Sequence, residues 1–317
     1  MLLRMMTRKK QMEHLINSTY LYFLAFSSYG EKQPLISTVF FLIYVIGVLG
    51  NLIIINVIYL DSHLHTPMYF FLCTLACVDI CYPTVTLPKL IDILLSGNNS
   101  ITFIQCFIQM YFFVAFVGVE VSLLSSMAYD RYVAICKPLT YHLIMNRRAC
   151  VLLIIGTWIS GSTNSALFTS LVSKLSICGS NRIKQFFCDS KAVADISCHV
   201  TTFYIIIYVE TFLLGLVTFS LNVISYINII RTILNIKSKH GRQKAFSTCT
   251  SHFTVLIIFY GSGLWTYLRP PSESENLDPV FSIFYVAVTP MLNPLIYSLR
   301  NKEVKDALIR SLRKNSA

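Results

Sequence analysis

Charged residues are scarce in this chain. Asp, Glu, Lys and Arg make up 13% of its 317 residues, whereas soluble domains carry about 25%. Hydrophobic residues make up 55%, and the mean hydropathy is +0.61. This composition excludes an ordinary water-soluble domain and indicates that lipid is the solvent for much of the chain.

Other features are missing as well. The sequence has neither a Gly-rich phosphate loop nor an arrangement of a nucleophile beside a base, so we expect it not to be an enzyme. The first 34 residues lack the continuous apolar region of a cleavable signal peptide, so we expect the first apolar span to act as an uncleaved anchor. No cysteine follows Cys249, which excludes palmitoylation of the C-terminal segment.

Long apolar stretches dominate what is present. Seven of them are long enough to cross about 30 Å of hydrocarbon as helices, which predicts an all-α integral membrane protein with a seven-helix bundle. The predicted spans are residues 35–60, 67–93, 103–133, 149–172, 202–230, 246–267 and 279–299. We therefore divide the chain into an N-terminal segment (1–34), a membrane domain (35–299) and a C-terminal tail (300–317).

The distribution of positive charge predicts the orientation. Fifteen of the 26 Lys and Arg residues fall on the side that carries the loops after spans 1, 3 and 5 and the C-terminal tail. The positive-inside rule makes that side cytoplasmic and the N-terminus extracellular. The net charge of +11 then reflects topology and contact with anionic lipid, not nucleic-acid binding. The tail segment 302–314 has the pattern of an amphipathic helix on the inner leaflet.

Cysteines and glycosylation sequons agree with this orientation. Four cysteines lie on the predicted outside, where disulfides form, and they allow three pairings: Cys106, Cys178, Cys188 and Cys198. Both N-glycosylation sequons, at Asn17 and Asn98, also fall outside. Asn17 lies in the N-terminal tail and is the better acceptor, because Asn98 is close to the membrane.

Several long motifs stand at the predicted helix ends. They are HTPMYFFL (65–72), MAYDRYVAIC (127–136), KAFSTCTSH (244–252) and PMLNPLIYSLRN (290–301), together with Gly50-Asn51 in span 1 and CGSN and FFCD in the loop before span 5. In this order they closely resemble the olfactory (odorant) receptors, a branch of the rhodopsin-like G-protein-coupled receptors. The resemblance covers residues 18–312.

The resemblance carries functional expectations. It implies a receptor in the plasma membrane of olfactory cilia that binds a small volatile hydrophobic odorant. It also implies activation of a heterotrimeric, stimulatory olfactory-type G protein that raises cAMP. Among the three possible pairings, it implies the disulfides Cys106–Cys188 and Cys178–Cys198.

The cytoplasmic motifs have a shared role in such receptors. Arg131 keeps its charge at physiological pH and pairs with the adjacent Asp130, which suits a latch that opens on activation; a plain interfacial anchor is the alternative. Asn293-Pro294 removes a backbone donor and allows a kink in span 7. The remaining positions implied for the switch and for G-protein contact are Tyr132, Tyr226, Lys244, His252 and Tyr297. Basic residues around Lys244 contact either the G protein or anionic lipid.

Two carboxylates, Asp79 and Glu120, lie at bilayer depth in spans 2 and 3. An ionisable residue there is a functional hypothesis by default. Close together, the two would either share a proton and pack neutrally or recruit a cation. We expect a sodium site at Asp79 and Glu120, and no other cofactor.

The resemblance also places a ligand pocket in the outer half of spans 3, 5, 6 and 7. The implied lining is Phe113, Val114, Val117, Gly118, Tyr260, Gly263, Leu264, Tyr267, Ser282 and Ile283. Glu210 departs from the family pattern: it either faces the pocket, where it could pair with an amine, or bonds to a neighbouring helix. A transporter or channel that uses the buried carboxylates as an ion path is the alternative function, although the two halves show no inverted repeat.

Overall fold

The computed structural model describes residues 20–174, 176, 178, 180–198, 200–235, 238–268, 278–300 and 302–314. Within these ranges, five long helices are uninterrupted: α1 Gln33–Leu60, α2 Pro67–Ser96, α3 Phe103–Cys136, α4 Arg147–Ser173 and α6 Lys239–Leu268. The C-terminal helix α8, Lys302–Lys314, is shorter and also uninterrupted. Two contain a π-helical stretch in the middle: α5 runs through Val200–Glu210, Thr211–Leu216 and Val217–Leu234, and α7 runs through Asp278–Ile283, Phe284–Val288 and Thr289–Arg300.

The predicted seven-helix bundle with a short amphipathic C-terminal helix is confirmed. Within the described ranges, helices α1 to α5 are long and apolar enough to cross a membrane, and α6 and α7 contain the shorter apolar stretches His252–Gly263 and Phe281–Ile296. The predicted ends agree to within a few residues except at α6. That helix begins at Lys239, because the basic segment before the apolar span continues the same helix.

Local chemistry explains where several helices begin. Thr102 accepts a hydrogen bond from the Gln105 amide N, and the Gln105 side chain accepts one from the Thr102 amide N, which forms a capping box at the start of α3. The Asn146 side chain caps α4 by accepting from the Ala149 amide N at 2.9 Å. Pro67 occupies the first position of α2, where no intrahelical donor is needed.

The bundle exposes apolar surface where a soluble protein would not. Large side chains on α1, α4 and α5 point outward, among them Phe41, Ile159 and Phe212. Such faces are stable in contact with lipid, and this arrangement agrees with a multi-pass membrane protein.

The interior contains three clusters of buried apolar side chains. One cluster surrounds Met127, Ile233 and Val304 at the end of the bundle that carries Arg131, which we call the Arg131 end. The other two lie at the opposite end, around Cys188 and Phe113. The bundle is therefore packed tightly at both ends.

Three short strands that the sequence did not predict lie at that opposite end, which we call the sheet end. They are β1 Tyr20–Phe23, β2 Ser100–Thr102 and β3 Arg182–Ile183. Strand β1 is central, antiparallel to β2 and parallel to β3. The sheet joins the N-terminal segment to the loop before α3 and to the loop before α5.

Helix α8 is attached to the Arg131 end by its apolar face and by two polar contacts. Val304 is buried, the Tyr69 hydroxyl donates to Glu303 Oε2 at 2.7 Å, and Arg310 Nε donates to Asp61 Oδ2 at 3.0 Å. The Arg310 hydrogen bond lowers the pKa of Asp61 to about 2. Asp61 therefore stays charged and paired throughout the physiological range.

Candidate functional site

A cavity of about 160 Å³ opens between α3, α5 and α6 toward the sheet end. An apolar cavity of about 150 Å³ is large enough to hold benzene, so this one accommodates a small organic molecule. Its wall is apolar and aromatic with a few hydroxyl and amide groups, which is the usual composition of a small-molecule site.

Most of the predicted pocket residues line this cavity. Those that do are Phe113, Val114, Val117, Gly118, Glu210, Tyr260 and Gly263. The side chains of Leu264 and Tyr267 lie outside the described residues.

Two predicted pocket residues, Ser282 and Ile283, are not among the residues that line this cavity. Ser282 is fully buried, and its hydroxyl accepts a hydrogen bond from Gln185 Nε2 at 2.8 Å. Ile283 packs against the apolar cluster around Phe113. The loop before α5 thus contacts α7 through Gln185.

Eleven of the 18 residues that line the cavity were not predicted from the sequence. The additional lining residues are Tyr82, Val121, Ser122, Asn164, Ser190, Ile207, Thr211, Leu214, Gly215, Phe259 and Tyr285. Three of them belong to the π-helical stretch Thr211–Leu216. A π-bulge changes which side chains face inward, and such bulges are frequent at functional sites.

Glu210 faces both the cavity and a neighbouring helix. Its side chain is half-buried and lines the cavity, and its Oε1 accepts a hydrogen bond from Asn164 Nδ2 on α4 at 2.7 Å. Glu210 therefore lies in the cavity wall and is at the same time bonded to a neighbouring helix.

A polar cluster lies directly beneath the cavity. The Tyr260 hydroxyl donates to Thr218 Oγ1 at 3.0 Å and accepts from Asn222 Nδ2 at 3.1 Å, and the same amide is 3.2 Å from Ser125 Oγ. These contacts connect α3, α5 and α6. A ligand that moves Tyr260 would therefore disturb hydrogen bonds among the three helices.

The buried carboxylates lie deeper in the bundle. Asn293 Nδ2 donates to Asp79 Oδ2 at 2.9 Å, while Asp79 Oδ1, both Glu120 oxygens and Asn293 Oδ1 have no hydrogen-bond partner among the described residues. Buried acceptors without partners are costly. Oxygen ligands of this kind suit a hard cation, so the residues fit the predicted sodium ion. Within the described ranges no group of three or more His, Cys, Asp and Glu side chains is close enough to hold a metal.

At the Arg131 end, Asp130 has two partners. Its Oδ2 accepts from Arg131 Nε at 2.9 Å, as the sequence suggested, and its Oδ1 accepts from the Tyr141 hydroxyl at 2.8 Å. Tyr141 lies in the short helix Tyr141–Ile144 between α3 and α4, and nothing in its sequence context indicated this role. Burial raises the pKa of Tyr141, so its hydroxyl remains a donor at neutral and mildly alkaline pH.

Other predicted switch residues lie around the same end. The Tyr226 hydroxyl is 2.8 Å from His252 Nδ1, which connects α5 to α6. Tyr132 is half-buried, with the Lys137 ammonium 5.9 Å from its ring centre. The side chains of Lys244 and Tyr297 lie outside the described residues. Pro294 lies inside α7.

The loop before α5 closes the sheet end of the cavity. The structure joins Cys106 to Cys188 and Cys178 to Cys198, and the Phe187 ring lies 4.7 Å from that of Phe113. Asn17 lies outside the described residues. Asn98 is exposed at the sheet end, where its Oδ1 accepts from the Ser100 hydroxyl at 2.7 Å.

Comparisons with known proteins all identify the same family. Residues 40–315 match a family model described as olfactory receptor. The chain is 44% identical to Olfactory receptor 1G1 of Gorilla gorilla gorilla, over 93% of this chain and 95% of that one. It is 48% identical to Olfactory receptor 8H1 of Homo sapiens, over 90% and 92%, and 42% identical to Olfactory receptor 5G9 of Mus musculus, over 95% and 97%.

Proposed function

The chain belongs to the olfactory receptor family, whose members detect odorants and act through G proteins, and on that premise we propose the details for this receptor. It binds a small, volatile, largely hydrophobic odorant in the cavity between α3, α5 and α6 and activates a stimulatory olfactory-type G protein, which raises cAMP. The observation that carries this proposal is the polar cluster beneath the cavity. Tyr260 belongs both to the cavity wall and to that cluster.

A route from the cavity to the Arg131 end follows from helix geometry. His252 lies two turns from Tyr260 on α6, and Tyr226 lies one turn from Asn222 on α5, so each pair shares a helix face. A small displacement of α6 at Tyr260 is therefore transmitted to the contact between Tyr226 and His252. That contact adjoins the Arg131 end, where the G protein binds.

The sheet end faces the exterior, and the receptor resides in the plasma membrane of olfactory cilia. Both disulfides and the exposed Asn98 lie at the sheet end, and an oxidising compartment suits disulfides. Asn17, on the N-terminal segment that leads into β1, is the glycosylated residue. The basic surface of α8 contacts the inner leaflet.

Asp130 and Arg131 form the resting latch, with Tyr132, Tyr226, Lys244, His252, Asn293, Pro294 and Tyr297 as the surrounding switch. Arg131 keeps a side-chain exposure of only 13% at rest. Its release would place a permanent positive charge at the Arg131 end, where the G protein binds.

Asp79 and Glu120 hold a sodium ion in the resting bundle, with Asn293 as a neighbouring oxygen donor. The partnerless acceptor oxygens support this role. We expect sodium to lower agonist potency in the wild type and to have no effect in Asp79→Asn. Equal sodium responses in the two proteins, measured as EC50 in sodium and in N-methylglucamine buffers, would remove the ion from the proposal.

The whole proposal is tested by a cAMP screen over a panel of volatile compounds in cells that express the olfactory stimulatory G protein. We expect at least one compound to raise cAMP in the wild type and none to do so in Arg131→Ala at equal surface expression. Arg148→Ala is the matched control, because Arg148 is exposed at the same end and its side chain makes no hydrogen bond or ion pair with the described residues. An ion current or solute uptake that persists without the G protein would instead support the transporter alternative.

A further inference from the structure

Glu210 is the only residue with a formal charge among the described residues that line the cavity. The rest of the wall consists of apolar and aromatic side chains with a few hydroxyl and amide groups, and it contains neither Lys, Arg nor His. The cavity therefore has a negative group at one point and no positive group of its own to balance it.

Among the described residues, a hydrogen-bond partner is found for one of the two carboxylate oxygens of Glu210. Asn164 Nδ2 donates to Oε1 at 2.7 Å, and Oε2 makes no hydrogen bond or ion pair with the described residues. An amide donor orients a carboxylate without neutralising its charge. Asn164 is therefore a positioning residue: it holds one oxygen of the cavity-lining Glu210 and leaves the other available to a ligand.

The hydroxyl group of Tyr260, which also lines the cavity, donates its single proton to Thr218 Oγ1 and is not available to Glu210. A half-buried carboxylate that lacks a cationic partner is destabilised by the loss of water. A ligand that carries the missing positive charge would remove that penalty, and a neutral ligand would not.

The position of Glu210 in α5 explains why it faces inward. It is the last residue of the α-helical stretch Val200–Glu210, immediately before the π-helical stretch Thr211–Leu216. The wider turn brings Thr211, Leu214 and Gly215 to the cavity wall together with Glu210. Glu210 is thus one of several neighbouring positions of α5 that form the cavity wall.

We propose that this receptor is selective for small protonated amines, with the ammonium group donating to Glu210 Oε2 and the hydrocarbon part packed against the apolar wall. This selectivity rests on the proposed function, in that the cavity is the odorant site. Aliphatic amines with pKa values near that of lysine, about 10.4, are protonated at neutral pH. The cavity volume of about 160 Å³ limits the hydrocarbon part to about the size of a single six-membered ring.

The test compares cyclohexylamine with cyclohexanol, which have similar shape and the same number of heavy atoms but different charge. Binding is measured by ligand-observed NMR titration on the purified full-length receptor in nanodiscs, with empty nanodiscs subtracted. A charge-assisted hydrogen bond predicts that the wild type binds the amine about tenfold to a hundredfold more tightly than the alcohol. Equal affinities in the wild type would overturn the proposal without any variant.

Variants then assign the preference to one residue. Glu210→Gln keeps the shape and an acceptor for Asn164 but removes the charge, so the ratio of amine to alcohol affinity falls to about one. Glu210→Asp keeps the charge and retains part of the preference, which also covers the case in which the Gln variant fails to fold. Asp92→Asn is the matched control, because Asp92 does not line the cavity and pairs with Lys89, 2.9 Å from its Nζ; removing this carboxylate charge should leave the ratio unchanged. An undiminished ratio in Glu210→Gln would overturn the proposal.

The binding assay needs no G protein, so it tests the amine selectivity independently of the proposed coupling to a G protein. A receptor that binds the amine through Glu210 but never raises cAMP contradicts the coupling and supports the amine selectivity. A receptor that raises cAMP with neutral volatile compounds and binds both probes equally contradicts only the amine selectivity.

Discussion

The contact between α3 and α4 leaves no room for a side chain at Gly161. A Cβ atom added there would lie 2.8 Å from the Ala115 carbonyl oxygen and 2.9 Å from the Val119 amide nitrogen. Both are backbone atoms of α3, so they cannot rotate away as a side chain could. Small residues at such points let membrane helices approach closely. We predict that Gly161→Ala forces the two helices apart.

Two opposing effects set the size of the change. Alanine is favoured over glycine inside a helix by about 1 kcal/mol. Overpacking costs about 1–3 kcal/mol, and the upper part of that range applies because three atoms, including two of the backbone, lie within 3.0 Å of the added Cβ. The cost of overpacking therefore exceeds the gain in helix propensity, and we expect the free energy of unfolding to fall by about 1–2 kcal/mol.

The measurement is the apparent Tm of the purified receptor in detergent at one scan rate, because large membrane proteins unfold irreversibly. A loss of this size corresponds to a decrease of roughly 2 to 8 °C. Gly156→Ala is the control on the same helix: a Cβ there has no neighbouring atom within 4 Å, so its Tm should equal or exceed that of the wild type. If Gly161→Ala melts as high as Gly156→Ala, the reasoning about the helix contact is refuted.

Two further predictions concern the Arg131 end. Because the pKa of Asp61 is lowered from 3.8 to about 2, the contribution of its carboxylate to α8 docking is complete above pH 4 and is lost as the pH falls toward 2. Asp61→Asn should lack this contribution at pH 7 as well, and spin-label distances between α1 and α8 would show the difference. Identical distance distributions for the variant and the wild type at pH 7 would contradict the prediction. Tyr141→Phe removes one hydrogen-bond donor from the buried Asp130, so we expect the free energy of unfolding to fall by about 1–3 kcal/mol. The apparent Tm should therefore be lower than that of the control His142→Ala, which changes an exposed neighbour. An unchanged Tm would show that water replaces the hydroxyl.

The sequence predicted the membrane helices well because their signal is local. Among the described residues, helices α1 to α5 are each long and apolar enough to cross the bilayer. The sequence also suggested the inward positions of α3, since Phe113, Val117 and Gly118 do line the cavity. In a regular helix such as α3, the helical period determines which side chains face the cavity. The family pattern was therefore enough to predict them.

The missed parts of the site depend on irregular or distant contacts. The π-helical stretch after Glu210 changes the set of inward-facing residues, and no simple helical period predicts that change. Gln185, in the loop before α5, donates a hydrogen bond to the Ser282 hydroxyl although the two residues are 97 positions apart in the chain. Tyr141 and Asn164 are ordinary polar residues in the sequence, and they gain their roles only when the bundle brings Asp130 and Glu210 to them.

Helix packing and ligand recognition meet at Gly118, which lines the cavity and faces α4. A Cβ atom there would lie 3.1 Å from the Gly161 Cα, so α3 and α4 would separate by a few tenths of an ångström. Asn164 lies one turn beyond Gly161 on α4, and this shift would lengthen its 2.7 Å bond to Glu210. We therefore predict that Gly118→Ala lowers cyclohexylamine affinity by about threefold to tenfold, as measured by NMR titration in nanodiscs, while its apparent Tm falls less than that of Gly161→Ala. The reverse order, a large loss of Tm with unchanged affinity, would mean that the orientation of Glu210 does not depend on the spacing of these two helices.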